Sequence, residues 1–293
     1  MYYKKSAGEK VCTGLIYIFC IVLTLAFLYP VVYCLSMSIS DAEMLGGQPI
    51  GILPKGVSLE AYQYLLSSSK VFRYYANTIL YAGLGTLITL LTTSLIAYPL
   101  SVSTFSGRKV LTVYLVITMF FSGGMVPTYL NIQRLGLMDT IWVMVLPSAV
   151  GAYSVMVYKT FFKQLPSSLT EAAKIDGAGH FRILFTIVLP LSKPLLATMA
   201  LFSIVGHWNS FLNAVMYLRS SSKHPIQMML RSLLISLEMV QDESMAAVAK
   251  DITTSTRTVK GAGVMIAIIP ILCIYPFLQK YFDQGVMIGS VKG

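Results

Sequence analysis

The sequence predicts an all-α integral membrane protein with six transmembrane helices, and three observations carry that prediction. Hydrophobic residues make up 56% of the 293 residues and charged residues only 12%, half the roughly 25% charge of an ordinary soluble domain. Six stretches lack Asp, Glu, Lys and Arg over the length of a membrane span: 11–40, 74–107, 110–133, 140–158, 194–218 and 261–279. The next such run, 44–54, is far shorter. A bilayer core takes about 20 apolar helical residues, so the gap between the two groups defines the spans. The formal net charge of +10 would suggest nucleic acid in a soluble protein. Here the basic residues avoid the apolar runs, which is the pattern of basic loops between membrane helices. No nucleic-acid partner is expected.

The span cores run from Val11 to Ser36, Asn77 to Leu100, Val110 to Leu130, Thr140 to Tyr158, Pro194 to Leu218 and Gly261 to Leu278. The first is too long for the apolar region of a signal peptide and no A-x-A site follows it, so it is kept as a helix. Tyr29, Tyr98, Tyr129, Trp142, Tyr158 and Tyr217 lie near span ends, where an interfacial belt would place them. Six crossings put both termini on one side. That side, made of 1–10, 108–109, 159–193 and 280–293, carries 12 Lys and Arg in 61 residues, against 10 in 81 on the other. The denser side is assigned to the cytoplasm. The organisation is then a tail 1–10, a membrane domain 11–279 and a tail 280–293, with the whole chain in the cell membrane as a multi-pass protein.

Several chemistries are missing. There is no G-x-x-x-x-G-K-[ST] loop for a nucleotide and no H-E-x-x-H or G-x-S-x-G signature, so no enzyme activity is expected of this chain. Cys12, Cys20, Cys34 and Cys273 fall within spans without a C-x-x-C, and His180, His207 and His224 lack metal-ligand spacing. No metal or cofactor site is expected. The spans also hold no ionisable Asp, Glu, Lys or Arg of the kind that proton- and ion-coupled carriers use. Energy for any transport would come from elsewhere.

The most informative segment is 159–193, with seven charged residues: Lys159, Lys163, Glu171, Lys174, Asp176, Arg182 and Lys193. At about 2.5–3.5 kcal/mol per charge, burying it in the bilayer would cost roughly 20 kcal/mol. Ser168-Leu-Thr-Glu171 fits a capping box, so a helix is expected from Leu169. Leu165, Leu169, Ala172 and Ala173 form a narrow apolar stripe with small residues that permit close approach. Gly177 and Gly179 turn a corner, and a second helix runs from His180 to Leu189 and stops near Pro190. This helix–corner–helix is either a docking element or a hairpin that only links two spans.

Glu171-Ala172-Ala173, Gly177 after three residues, and Ile187-Val188-Leu189-Pro190 after nine more match the E-A-A-x3-G-x9-I-x-L-P pattern at every fixed position. The segment resembles the EAA loop of ABC importer permeases. Gly206 to Phe211 (GHWNSF) and the tail Gln279 to Gly293 extend the resemblance to the smaller permease subunit of maltose-type carbohydrate importers. Phe121 to Gly124, Pro127 to Tyr129, Tyr217 to Ser220 and His224-Pro225 are similar to a subgroup for acidic oligosaccharides such as aldouronates and alginate fragments.

The resemblance implies a type I ABC importer permease fold with cytoplasmic termini and half of a carbohydrate translocation pathway. The implied partners are a second permease, two ATPase subunits that bind ATP and Mg, an extracytoplasmic solute-binding protein and membrane lipid. It implies that Glu171, Ala172, Ala173, Asp176, Gly177, Ile187, Leu189 and Pro190 couple the chain to an ATPase. The tail 280–293 would also touch the ATPases or end free.

For the substrate path, His207, Trp208, Asn209 and Asn213 offer amides and aromatic faces to sugar hydroxyls and rings, or else join helices. Asn209 and Asn213, four residues apart, are expected to share a helical face. Outside, 41–73 and 219–260 are long enough to receive a binding protein. The stripe Ile226, Met229, Leu230, Leu233, Leu234 and Leu237 is expected to pack on the membrane domain. The loop cations Arg219, Lys223, Arg231, Lys250, Arg257 and Lys260 would suit an anionic sugar or be solvated. The rival readings are a stand-alone secondary carrier or channel, and a membrane-bound enzyme or scaffold.

Overall fold

The computed structural model describes residues 7–45, 51–238, 257–274 and 276, and all regular structure among them is helical. In chain order the main helices are α1 Ala7–Ser38, α2 Glu60–Leu66, α3 Ser69–Ser101, α4 Arg108–Phe120, α5 Met125–Arg134 and α6 Ala152–Gln164. They continue with α7 Ser167–Ile175, α8 His180–Leu191, α9 Lys193–Trp208, α10 Phe211–Tyr217, α11 Ile226–Glu238 and α12 Arg257–Ile274. The tails 1–6 and 280–293, the stretch 239–256 and the end of the sixth expected span lie outside the described residues.

Contacts divide the chain into two compact units. The first joins residues 1–69 to 230–268. Its α1 is apolar on all sides, with Leu15 63%, Phe19 63% and Phe27 74% exposed, as a lipid-facing helix requires. Only its last turn is polar and buried, where Ser38 accepts a 2.8 Å hydrogen bond from Tyr62. The second unit, 70–229 with 269–293, holds the features that bear on function. One core cluster gathers Tyr98, Leu100, Val155, Tyr158, Ile183 and Val188 around α6 and α8. Another, with Tyr81, Val143, Met144 and Tyr217, sits around α3 and α10.

Among the described residues, α1, α3 and α12 are long and apolar enough to cross a membrane. The other expected spans are broken. The third divides into α4 and α5, bent by 117° across Phe121–Gly124, where Gly124 has φ 84°. The fourth is a short turn Trp142–Val145, a 3-10 turn through Pro147, and α6 beyond Gly151. The fifth breaks at Asn209–Ser210, between α9 and α10. There Asn209 Nδ2 donates back to Val205 O at 3.0 Å and Ser210 Oγ to His207 O at 2.6 Å. Such local side-chain bonds compete with the helical ladder and end it. Irregular backbone within a membrane protein is tolerated where it is buried or lines a polar cavity.

Of the aromatics assigned to an interfacial belt, Tyr29 (54%) and Trp142 (49%) are exposed, but Tyr98, Tyr158 and Tyr217 are core residues. In α11, Ile226 and Met229 are buried as the stripe anticipated, while the side chains of Leu234 and Leu237 lie outside the described set.

Candidate functional site: a helical elbow and a polar cavity

The elbow of 159–193 begins where α6 ends at Gln164. The helix α7 starts at Ser167, two residues before the expected Leu169, with Pro166 at its cap and no side-chain cap bond. The capping box does not form: Thr170 Oγ1 donates to Ser167 O instead, at 2.9 Å. At the other end, Gly177 N donates to Lys174 O at 3.0 Å and Ala178 N to Ala173 O at 2.8 Å. With Gly177 at φ 78°, this is a Schellman termination, and it fixes the corner.

The corner then launches α8. Its middle, Leu184–Val188, is π-helical, and the helix runs through Pro190 to Leu191 rather than stopping before it. Proline cannot complete an ordinary helical bond to the preceding turn, and the wider π turn absorbs that loss.

The expected apolar stripe is divided between two faces. Leu165, Ala173, Ala178 and Leu189 pack on the chain's own core, with Val188 beneath them. Leu169 (44% exposed) and Ala172 face outward, joined by Ile175 at 87% exposure, which the stripe had omitted. Glu171, Asp176, Gly177 and Pro190 are also exposed, and Ile187 is half-buried. The elbow is therefore anchored on one side and leaves a small apolar face ringed by charge on the other.

The second feature is a cavity of about 450 Å³ within the same unit, lined mainly by α3, α9 and α10. His207, Asn209 and Asn213 all line it, together with Thr93, Ser148 and Tyr158. Asn209 and Asn213 reach it across the helix break rather than along one helical face. Trp208 does not line it; that ring is 3% exposed and tilted against Tyr75, with centroids 6.4 Å apart. His207 is 5% exposed because Gly85 on α3 leaves room for its ring.

Among the described residues, no Asp, Glu, Lys or Arg lines the cavity. The Thr93 and Tyr158 hydroxyls are buried without a hydrogen-bond partner, a costly state that a hydroxyl-rich ligand or a change of conformation would relieve. Hydroxyls, amides and one imidazole can exchange hydrogen bonds with a polyhydroxylated solute.

A third feature was not legible in the sequence. Asp139, at φ 55°, ties its short loop to residues 217–223. Its carboxylate accepts from the amides of Arg219 and Ser220 at 3.1 Å, from Ser220 Oγ at 2.6 Å and from Lys223 Nζ at 3.0 Å. Tyr81 and Asn77 of α3 donate to the Lys223, Ser222 and His224 carbonyls and extend the clamp. Lys223 is thus paired, not free for an anionic sugar.

The Ser220 bonds, then Lys223 and the Arg219 amide, hold the Asp139 carboxyl well below the usual carboxylate range. A lowered folded-state pKa stabilises above the ordinary value of about 4 and loses that effect only in strong acid. Asp139→Asn keeps a residue that tolerates φ > 0 but removes the charge. It is expected to lower stability by about 1–2 kcal/mol, equally across pH 5 to 9, measured by thermal unfolding in detergent.

These features lie within the segment that matches a known family profile, that of the binding-protein-dependent transport system inner membrane component, over residues 78–288. The chain belongs to that family. It is 38% identical over 95% of its length to the polygalacturonan/rhamnogalacturonan transport system permease YtcP of Bacillus subtilis, covering 97% of that protein. It is 40% identical over 90% of its length to LplC of the same organism, covering 89% of that protein.

Among solved structures, a bacterial ABC transporter involved in import of the acidic polysaccharide alginate aligns with TM-score 0.85 and 32% identity. That alignment covers 96% of this chain and 99% of the other. A second chain, from an alginate transporter in complex with a pentasaccharide-bound periplasmic protein, shares the fold at TM-score 0.54 and 16% identity. The permease is therefore an inner-membrane transport component, and the expected family assignment stands.

Proposed function

We propose that the permease forms one half of the translocation pathway of a binding-protein-dependent ABC importer for an oligosaccharide. The observation that carries this reading is the pairing of an outward-facing elbow with a charge-free, hydroxyl- and amide-lined cavity in one unit. Its partners are a second permease, two ATPases and an extracytoplasmic binding protein.

The elbow, with α7 and the Gly177 corner, seats in an ATPase groove on the cytoplasmic side. Ala172 permits close approach, Ile175 and Leu169 supply apolar contact, and Glu171 and Asp176 meet basic groups. ATP-driven closure moves the elbow, and the anchored side transmits the motion through Val188 and Ile183 to α6. The direction of switching follows from each ligand favouring one state. ATP and the loaded binding protein both favour the outward-facing one.

Relatives named for galacturonan and alginate transport support an acidic oligosaccharide as cargo. The cavity in this chain meets its hydroxyl faces, so the carboxylates would be met elsewhere in the assembly. Reconstitution of the purified transporter in liposomes tests the reading. A binding protein loaded with a uronate oligosaccharide is expected to stimulate ATP hydrolysis and uptake several-fold. A chain that purifies without any ATPase and transports alone would favour a secondary carrier.

A further inference from the structure

A second charged feature lies at the end of α6 from which the elbow departs. Lys159 is 9% exposed, yet α6, which carries it, and α4, which packs on α6, contain no Asp or Glu; Glu171 of α7 lies further along the elbow, where it shares a small pocket with Lys163. Its ammonium donates to Thr112 Oγ1 at 2.8 Å, and the Thr112 hydroxyl donates in turn to Arg108 O at 2.6 Å. The charged groups acting on Lys159 are Lys163 and Arg108, both cations. A buried charge without a counter-charge is strongly unfavourable, and two like charges beside it add to the penalty. An anion among the three would remove both terms.

The surroundings say what kind of anion fits. The helix α4 begins at Arg108 and packs on α6. None of its residues is buried, and Val110 (74%), Val113 (58%), Tyr114 (64%) and Ile117 (50%) are exposed. A shallow groove of about 370 Å³ on α6, lined by Met156, Val157 and Phe161 among others, is also mostly apolar. The cations therefore stand at the head of an extended apolar surface. A protein carboxylate or a free phosphate would satisfy the charge and leave that surface bare. An anionic lipid satisfies both, and basic pockets between membrane helices bind acidic headgroups in this way.

We propose that Arg108, Lys159 and Lys163 bind the phosphate of an anionic phospholipid whose acyl chains cover α4. Each Lys or Arg near such a headgroup strengthens binding about fivefold.

The test is native mass spectrometry of the full-length chain in mild detergent, offered phosphatidylglycerol or phosphatidylcholine of the same acyl chains. The wild type is expected to retain phosphatidylglycerol preferentially. Arg108→Gln with Lys163→Gln is expected to weaken that retention roughly 25-fold with thermal stability and phosphatidylcholine retention unchanged. Lys159 stays intact because a buried side chain risks the fold. Equal retention of the two lipids by the wild type, or an undiminished preference in the double variant, would overturn the proposal. So would displacement of the lipid by inorganic phosphate, which would assign a free-anion site. Loss of a co-purifying ATPase with lipid retention intact would assign the cations to a protein interface and reject the lipid.

Discussion

A Gly177→Val permease is expected to reach the membrane in normal amount and assemble, yet lose most of its uptake while ATP hydrolysis continues uncoupled. The corner at Gly177 has φ 78°, and a Cβ there meets no atom within 4 Å. Substitution therefore acts through the backbone alone and creates no clash with the core. A β-branched residue in this region is strained by about 1–3 kcal/mol, and the simplest relief is to abandon the Schellman termination. Loss of 2 kcal/mol shifts the equilibrium between the docking-competent elbow and its alternatives about thirtyfold, and coupling falls with the competent fraction.

The effect should be graded. Asn, which tolerates positive φ, is expected to retain most uptake, Ala less and Val least. Uptake into liposomes, measured beside ATP turnover, reads the split directly. A Val variant with wild-type uptake would mean that the corner has no coupling role.

How far the sequence reaches is instructive at particular residues. The absence of charge located the apolar stretches, because an unpaired charge in lipid is costly whatever the backbone does. The same criterion is blind to the backbone. It ran straight through Phe121–Gly124, Pro147 and Asn209–Ser210, where the helices break. Gly123, Gly124 and Pro147 are helix-breaking residues that a count of charges does not weigh, and the Asn209–Ser210 break depends on side chains bonding to their own helix, which no pattern of hydropathy encodes.

The elbow was legible since a corner needs glycine and glycine declares itself. Its start was not, because Pro166 takes the cap position and Thr170 bonds Ser167 rather than completing the reciprocal box. The cavity was half legible. His207, Asn209 and Asn213 stood out as polar groups in an apolar run, whereas Thr93 and Tyr158 belong to other segments and join them only through tertiary packing. Asp139 was invisible for the same reason, its partners being some 80 residues further along the chain.

The largest effect on the cavity is expected from Gly85→Ala, a change that would ordinarily help. Alanine in a helix interior is favoured over glycine by about 1 kcal/mol. Gly83, two residues earlier on the same helix, has no heavy atom within 4 Å of where a Cβ would stand, and Gly83→Ala is expected to be neutral or mildly stabilising. At Gly85 the new methyl would lie 2.3 Å from His207 Nε2 and 2.4 Å from Cε1.

The ring must swing out of its slot, and the space open to it is the cavity that it already lines. Overpacking of this kind costs about 1–3 kcal/mol, so the sign of the ordinary substitution reverses. Gly85→Ala should lower the thermal midpoint and block uptake together. His207→Ala empties the slot, and the double variant should recover the stability lost by Gly85→Ala, a coupling that a double-mutant cycle isolates. Recovery of stability without uptake would show that the imidazole itself contacts the sugar. Recovery of both would show that His207 only shapes the wall. No coupling at all would mean that the close approach of α3 and α9 at this point is wrong.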